Sequence, residues 1–287
     1  MKLTLLGTGT PIPDPARRGP SQVVEVGDSL LLVDCGSGVV HRLIEAGYRR
    51  EARGPQRPAI ACIALTHLHS DHIVGLPDLL WTGWIMRWWD APPPVAGPPG
   101  TAHLVAGLVN AFAYDVQVRM AGERLQRAWL VPPVMEVEEG WRMEGDGWRL
   151  TAFRVDHAPV DQAFGFRVDA DAGSVVISGD TRPSENLIRH AQGADLLVHE
   201  VYHKDAALAL SRTLTDPDAI ARRRTILSYH TPSDEVGTIA ARAEVGRLVL
   251  THLLLYGADP ASLRAEVERD FPRPVIVGAD LQTFTVG

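Results

Sequence analysis

The chain has 287 residues, 45% of them apolar and 22% charged, with a formal net charge of −7. That length is enough to bury a sizeable core, and one domain spanning 1–287 is expected. The acidic balance excludes a protein that holds nucleic acid by overall charge alone, and no apolar run of about eighteen residues predicts a membrane span. The chain opens on Lys2-Leu3-Thr4-Leu5-Leu6-Gly7 without the regions of a signal peptide, so a cytoplasmic protein is expected. Cys35 and Cys62 fit neither zinc-ribbon nor redox-pair spacing and read as reduced core residues.

Leu3 to Leu6 reads as a first strand. Gly7-Thr8-Gly9-Thr10 resembles a phosphate cradle, but Pro11 and Pro13 stand where a helix would have to begin, so a turn is predicted. Val23–Val26 and Leu30–Val33 flank Gly27-Asp28, a hairpin signal. Asp34 closes that second strand and either orients a metal-bound histidine or caps the turn, and a helix follows near Val39–Ala46. After the apolar run Ala59–Leu65 comes Thr66-His67-Leu68-His69-Ser70-Asp71-His72, and Gly75 with Leu76, Leu79 and Leu80 begins a helix. His67 and His69 alternate on one side of an extended backbone, and Asp71 and His72 come from the next turn. Imidazole nitrogen and carboxylate oxygen are good ligands for zinc, so the motif offers one pair to each of two metals.

Trp81, Trp84 and Trp88 fall on one helical face, read as core packing or a subunit interface, with a pocket wall as the alternative. Thr101 is expected to cap a helix reaching about Tyr114, and short strands are expected from Asp115 to Val168. Ser174–Ser178 is an apolar strand that ends at Gly179-Asp180-Thr181, and Leu196–Val198 ends at His199-Glu200. Asp205–Leu214 is expected to be helical, and Arg222-Arg223-Arg224 reads as a solvated basic face, with an anion-contacting role as the minority reading. Thr231-Pro232-Ser233-Asp234 reads as a helix start with Thr231 as the N-cap. Arg247–Leu250 ends at Thr251-His252, Asp259-Pro260 starts a last helix, and Val275–Val277 is the last clear strand. Asp71, His157, Asp180, Glu200 and His252 all follow apolar strands, and ligands gather at strand ends in layered α/β folds.

His67-Leu68-His69-Ser70-Asp71-His72, His157, Gly179-Asp180-Thr181 and Thr251-His252 resemble the metal motifs of the metallo-β-lactamase superfamily. Leu6-Gly7-Thr8-Gly9-Thr10-Pro11, Val33-Asp34-Cys35-Gly36, Val198-His199-Glu200 and Tyr229-His230-Thr231 are similar to its ribonuclease Z and arylsulfatase-like branch. The resemblance implies an α/β fold, a four-layer αββα sandwich of two mixed sheets flanked by helices. It implies a zinc held by His67, His69 and His157, a second held by Asp71, His72 and His252, and Asp180 bridging both. Manganese or iron suits similar sites. It further implies that His230 assists the leaving group, that Glu200 orients His230, that Asp71 belongs to the catalytic centre, and that the protein is a homodimer.

One departure shapes the substrate expectation. Bacterial ribonuclease Z enzymes carry a tRNA-gripping arm between the third histidine and the bridging aspartate, and the interval from His157 to Asp180 is too short for it. The expected activity is therefore hydrolysis of a small phosphodiester or sulfate ester, with nucleic acid possible but not favoured. The alternatives are ribonuclease Z-type tRNA 3′-end processing and lactone or carboxylic ester hydrolysis. A binding protein without catalysis would have no use for a water-activating pair of metals.

Overall fold

The computed structural model describes residues 1–49, 54–55 and 58–287. The first half of the chain forms β1 (Lys2–Gly7), β2 (Ser21–Val26), β3 (Ser29–Val33), α1 (Val39–Glu45), β4 (Ala59–Ala64), α2 (Ser70–Ile73), α3 (Leu76–Ile85), β5 (Val95–Gly97), α4 (Thr101–Ala111), α5 (Ala113–Glu123) and β6 (Val134–Glu136). The second half forms β7 (Arg142–Gly145), β8 (Trp148–Arg154), β9 (Phe164–Ala170), β10 (Gly173–Ile177), α6 (Glu185–Ala191), β11 (Leu196–Tyr202), α7 (Lys204–Arg212), α8 (Pro217–Ser228), α9 (Ser233–Arg242), β12 (Arg247–Leu254), α10 (Pro260–Val267), β13 (Val275–Val277) and β14 (Thr283–Thr285).

Among the described residues the strands make two sheets, ordered β14-β1-β2-β3-β4-β5-β6 and β13-β12-β11-β10-β9-β8-β7. Each is mixed: β1, β2, β3 and β14 pair antiparallel while β3 to β6 run parallel. The second sheet repeats the scheme, antiparallel from β7 to β10 and parallel from β10 to β13. Strand alternation explains the layers. Leu31 and Val33 of β3 face Val175, Ile177, Leu196 and Val198 of the other sheet in one central core. Leu30 and Leu32 point the opposite way, against Val39 and Leu43 of α1 and Leu79, Leu80 and Trp84 of α3. Likewise Val176, Leu197 and Leu248 turn outward to meet Leu187 of α6, Val236 and Ile239 of α9, and Leu263 of α10. Strands buried on both faces are apolar throughout, which is why these runs were continuous rather than alternating. The result is the four-layer αββα sandwich, two mixed sheets flanked by helices.

Several local expectations need correction. Helix α3 stops at Ile85, so Trp88 lies beyond it, although Trp81, Trp84, Trp88 and Trp89 are all buried in the outer core. Trp84 and Trp89 donate their indole N–H to the carbonyls of Gln126 and Trp129, at 2.9 and 2.8 Å. Thr101 does not cap α4, because its hydroxyl donates to the Pro98 carbonyl at 2.6 Å. The Glu136 carboxylate from β6 accepts from the amides of Gly100 and Ala102 instead, at 2.9 and 3.1 Å, as a negative group does at a helix N-terminus. Residues 113–123 are helical rather than strand, and β14 follows the strand expected to be last. Thr231 does not cap α9, whose N-cap is Pro232; its hydroxyl donates to the Thr181 carbonyl at 2.7 Å. No helix among the described residues is long and apolar enough to cross a membrane.

Candidate metal centre

The seven candidate ligands of the sequence converge at the carboxyl ends of strands from both sheets. His67, His69, Asp71 and His72 follow β4, His157 follows β8, Asp180 follows β10 and His252 lies within β12. Ligand atoms of His67, His69, His157 and Asp180 all lie within 4.8 Å of one another, as do those of Asp71, His72 and His252. His67 Nε2 is 3.0 Å from His69 Nδ1, and His157 Nε2 is 3.3 Å from the same atom. Asp180 Oδ2 stands between the groups, 3.9 Å from His67 Nε2 and His157 Nε2 and 3.4 Å from His72 Nε2 and His252 Nε2. Asp71 Oδ2 is 3.3 Å from His252 Nε2.

The backbone reaches these positions through special conformations. In the β11–β12 ladder Glu200 pairs with Thr251 and Val201 with Leu253, so His252 is the extra residue of a β-bulge. Its φ is 45°, in the left-handed region, and the bulge re-aims its imidazole toward the site. Gly179 has φ of 61°, and a Cβ there would meet the Phe164 carbonyl oxygen at 2.7 Å, so only glycine lets β10 turn Asp180 inward. A Cβ on Gly75 would stand 2.2 Å from the Gly36 carbonyl oxygen, which fixes the loop carrying His67 to His72 against the β3–α1 turn.

Hydrogen bonds set the tautomers. His157 Nδ1 donates to the Tyr229 carbonyl at 2.9 Å, which leaves its Nε2 lone pair facing the cluster, and His72 Nδ1 donates to Asp34 Oδ2 at 2.8 Å, which turns its Nε2 toward Asp180. Asp34 does not cap its own turn: Oδ2 meets His72 Nδ1, and Oδ1 accepts from the Thr66 amide after β4 at 2.8 Å. Burial pushes His67, His69 and His157 below the ordinary imidazole range, most strongly His67, where neighbouring His72 adds to the effect. They are therefore neutral, as nitrogen ligands must be. Burial opposes charge on His72 too, but Asp180 and Asp34 outweigh it and hold that imidazole well above its usual range. Burial likewise raises Asp180, and the surrounding His252 and His72 more than reverse it, so the carboxylate is held well below its usual range.

His72 Nε2, Asp180 Oδ1 and His252 Nδ1 are buried without a hydrogen-bond partner. Buried polar atoms are costly when unpaired, and this set of nitrogen and carboxylate donors suits a divalent cation such as zinc. His230 stands beside the cluster, stacked on His252 with ring centroids 5.3 Å apart. Its Nδ1 donates to Glu200 Oε1 at 3.0 Å, and that oxygen also accepts from the amides of Thr181 and Thr231, each at 3.1 Å. Burial works against protonation of His230, but the Glu200 carboxylate prevails and holds it at about 9.

A cavity of about 590 Å³ opens over these groups, lined by His69, Asp71, Asp180, His230 and His252 on one side and by α8 on the other. None of the tryptophans lines it, so the pocket-wall alternative for Trp81 to Trp89 is not supported. Among other histidines, His199 gives Nδ1 to the Glu200 carbonyl at 2.7 Å, and His203 caps α7. Sequence reasoning noted Arg222 and Arg223 only as a basic cluster whose anion-contacting role was the minority reading, and it missed Tyr229 and Tyr256 of the cavity wall. The available signal was the helical spacing of Ala219, Arg222, Arg223 and Ile226.

The beta-lactamase superfamily domain matches residues 30–253. Ribonuclease Z of Mycobacterium bovis (strain BCG / Pasteur 1173P2) is 38% identical over 293 aligned positions, covering 100% of this chain and 98% of the relative. The chain belongs to the metallo-β-lactamase superfamily, in its ribonuclease Z-like branch. Ribonuclease Z of Mycobacterium sp. (strain KMS) is 40% identical over 289 positions, covering 100% of this chain and 96% of that protein. Two solved structures share the fold. The metallo-beta-lactamase fold protein YhfI from Bacillus subtilis has a TM-score of 0.71 at 21% identity, covering 99% of this chain and 98% of that one. Human tRNase Z, short form, has a TM-score of 0.68 at 22% identity and covers 100% of both. Membership makes the chain one of a superfamily of metal-dependent hydrolases.

The relatives overturn the preference for a small phosphodiester or sulfate ester over nucleic acid. That preference rested on a missing arm between His157 and Asp180, and the interval does hold only β9 and β10. But the alignment with the Mycobacterium bovis protein runs 293 positions against 287 residues, so that protein, itself named ribonuclease Z, carries no long insertion that this chain lacks. Absence of the arm therefore does not separate this chain from it.

Proposed function

We propose that this protein is a ribonuclease Z-type endonuclease that cleaves a phosphodiester at the 3′ end of precursor tRNA, acting as one domain from 1 to 287 in the cytoplasm. The observation that carries this reading is the full-length likeness to proteins named ribonuclease Z. In the reading, His67, His69 and His157 would hold one zinc ion and Asp71, His72 and His252 a second, with the Asp180 carboxylate within reach of both groups. Such ions supply Lewis-acid polarisation of the phosphate and a water acidified toward neutral pH.

The chain's own groups do the rest. Asp34, Thr66 and the Tyr229 carbonyl hold the imidazoles in the ligating tautomer. Glu200, fixed by two backbone amides, keeps His230 protonated at Nδ1 and aims Nε2 at the cavity. The Nε2 proton passes to the leaving oxygen as its bond to phosphorus breaks, the attacking water gives one proton to solvent as the new phosphorus–oxygen bond forms, and His230 regains its proton from solvent. Elimination of the His230 proton donor slows this step without emptying the ligand set.

The test is incubation of zinc-loaded protein with a precursor tRNA bearing a 3′ trailer, with end mapping and Asp180→Ala as control. A single cut at the mature 3′ end, with about two zinc equivalents per chain by elemental analysis, is expected. Intact precursor in the presence of bound metal would refute the proposal.

A further inference from the structure

The cavity wall facing the metal ligands is built by a helical hairpin whose sequence makes no sense as packing. Helix α8 has 12 residues and none of them is buried. The hairpin is anchored from below by Leu227 and Ala207, which pack with Tyr202, Leu254 and Tyr256. Ala219, Arg222, Arg223, Thr225 and Ile226 of this helix line the cavity, and Ala219, Arg222, Arg223 and Ile226 among them form one face. Spaced i, i+3, i+4 and i+7, these four positions share one stripe of the helix, which in a packed helix is apolar. Here two of the four are guanidinium groups.

Those groups are not taken up by a carboxylate, although the Arg223 guanidinium also interacts with the Tyr256 phenol. Among the described residues no carboxylate lies within ion-pair distance of Arg222 or Arg223, and Arg223 Nη1 is buried without a hydrogen-bond partner. The Arg223 guanidinium lies over the Tyr256 ring, 4.4 Å from its centroid, which holds its plane against the cavity wall. Arg17 in the adjoining cavity makes the contrast, since its Nη1 is tied to Thr8 Oγ1 and the Gly278 carbonyl at 2.6 and 2.8 Å. The hairpin also joins the two halves of the proton-handling pair, because it lies between Glu200 and His230 in the chain.

We propose that α8 is the RNA-backbone grip of this protein, with Arg222 and Arg223 holding the phosphate next to the scissile one in a single-stranded RNA end. The proposal rests on the ribonuclease reading above and names the residues that make that reading possible for an acidic chain. Guanidinium forks match phosphate oxygens. The cavity volume of about 590 Å³ suits a few groups of a single strand rather than a duplex. Tyr229 and Tyr256 in the same cavity supply aromatic faces of the kind on which unpaired bases stack. The grip thus takes over what the absent arm does elsewhere, with the phosphate contact next to the reaction centre rather than at a distance.

The test uses the full zinc-loaded chain, the double variant Arg222→Ala/Arg223→Ala, and Arg224→Ala on the outer side of the same helix. Fluorescence anisotropy reads affinity for a labelled, non-cleavable single-stranded RNA across a salt series, and kinetics read precursor tRNA against bis-p-nitrophenyl phosphate. The double variant is expected to raise KM for the precursor about tenfold or more relative to any change with the small diester. Its salt slope is expected to flatten by about 0.7, from the one phosphate that the two arginines neutralise on a single strand. Arg224→Ala is expected to match the parent. An unchanged salt slope in a double variant of normal zinc content overturns the grip, as does equal loss on both substrates. If the parent binds RNA with an arginine-dependent slope but leaves the precursor intact, the grip stands and the cleavage reading falls. If it cleaves with an arginine-independent slope, the reverse holds.

Discussion

The two walls of the cavity are built on opposite principles. On one side His67, His72, His157, Asp180 and His252 are buried, and each is fixed by strand ends, a bulge or a hydrogen bond that leaves its ligating atom one direction to point. On the other side α8 buries nothing and presents Arg222 and Arg223 from a helix held by a few contacts beneath it. A metal centre needs ligand atoms fixed to a fraction of an ångström. A flexible polyanion needs charge over a surface that adjusts to it. The difference teaches that precision and reach are assigned to separate parts of the chain.

Asp180→Ala is the largest break in that division, because it removes the one group between both clusters. Metal content should fall and turnover should drop by roughly 10³-fold or more, measured by elemental analysis and precursor cleavage. Retained metal with retained turnover would remove Asp180 from the centre. Asp34→Asn sharpens the claim that the rigid wall depends on groups behind the ligands. Metal affinity should weaken by roughly 10–100-fold in a chelator competition, and unchanged affinity would reduce Asp34 to a turn residue.

The chelated protein offers a pH experiment on the same wall. His230 is lifted from 6.5 to about 9 against the cost of burial, chiefly by Glu200. A raised folded-state value adds stability that is complete below 6.5 and lost as pH rises through about 9. The denaturant midpoint of chelated protein should therefore fall across that window, and Glu200→Gln should flatten the fall. A parent curve already flat would disprove the coupling. The smallest effect belongs to the other wall: Ile226→Ala should cost under about 1 kcal/mol in thermal unfolding, since α8 contributes little to the core. A loss of several kcal/mol would show that α8 is structural after all.

What the sequence disclosed follows the same division. Strands such as Leu30–Val33, Val175–Ile177 and Leu196–Val198 were legible because burial on both faces leaves an unbroken apolar run. The ligand candidates were legible because histidine and aspartate at strand ends have few packing reasons to be there. Helices α5 and α8 were hidden because Val116 is the one buried residue of the first and the second has none, so neither carries an apolar stripe. The bulge at His252 was hidden because register is a property of two strands, Glu200 with Thr251 and Val201 with Leu253. The cap on α4 comes from Glu136, 34 positions from Ala102, and no local pattern announces such a partner. The substrate preference failed for a different reason: it inferred an activity from one missing segment, when the same work can be assigned to another.

The ligand set is divided between the two sheets, and that division reaches into biosynthesis. A ribosome that has released only β1 to β6 has delivered His67, His69, Asp71 and His72, and the remaining three positions arrive with β8, β10 and β12. The full set exists only once residue 252 has emerged and the sheets have docked face to face. In the proposed reading, metal uptake is thus a checkpoint on the finished polypeptide, and a chain cut short before β12 lacks His252 and cannot complete the set.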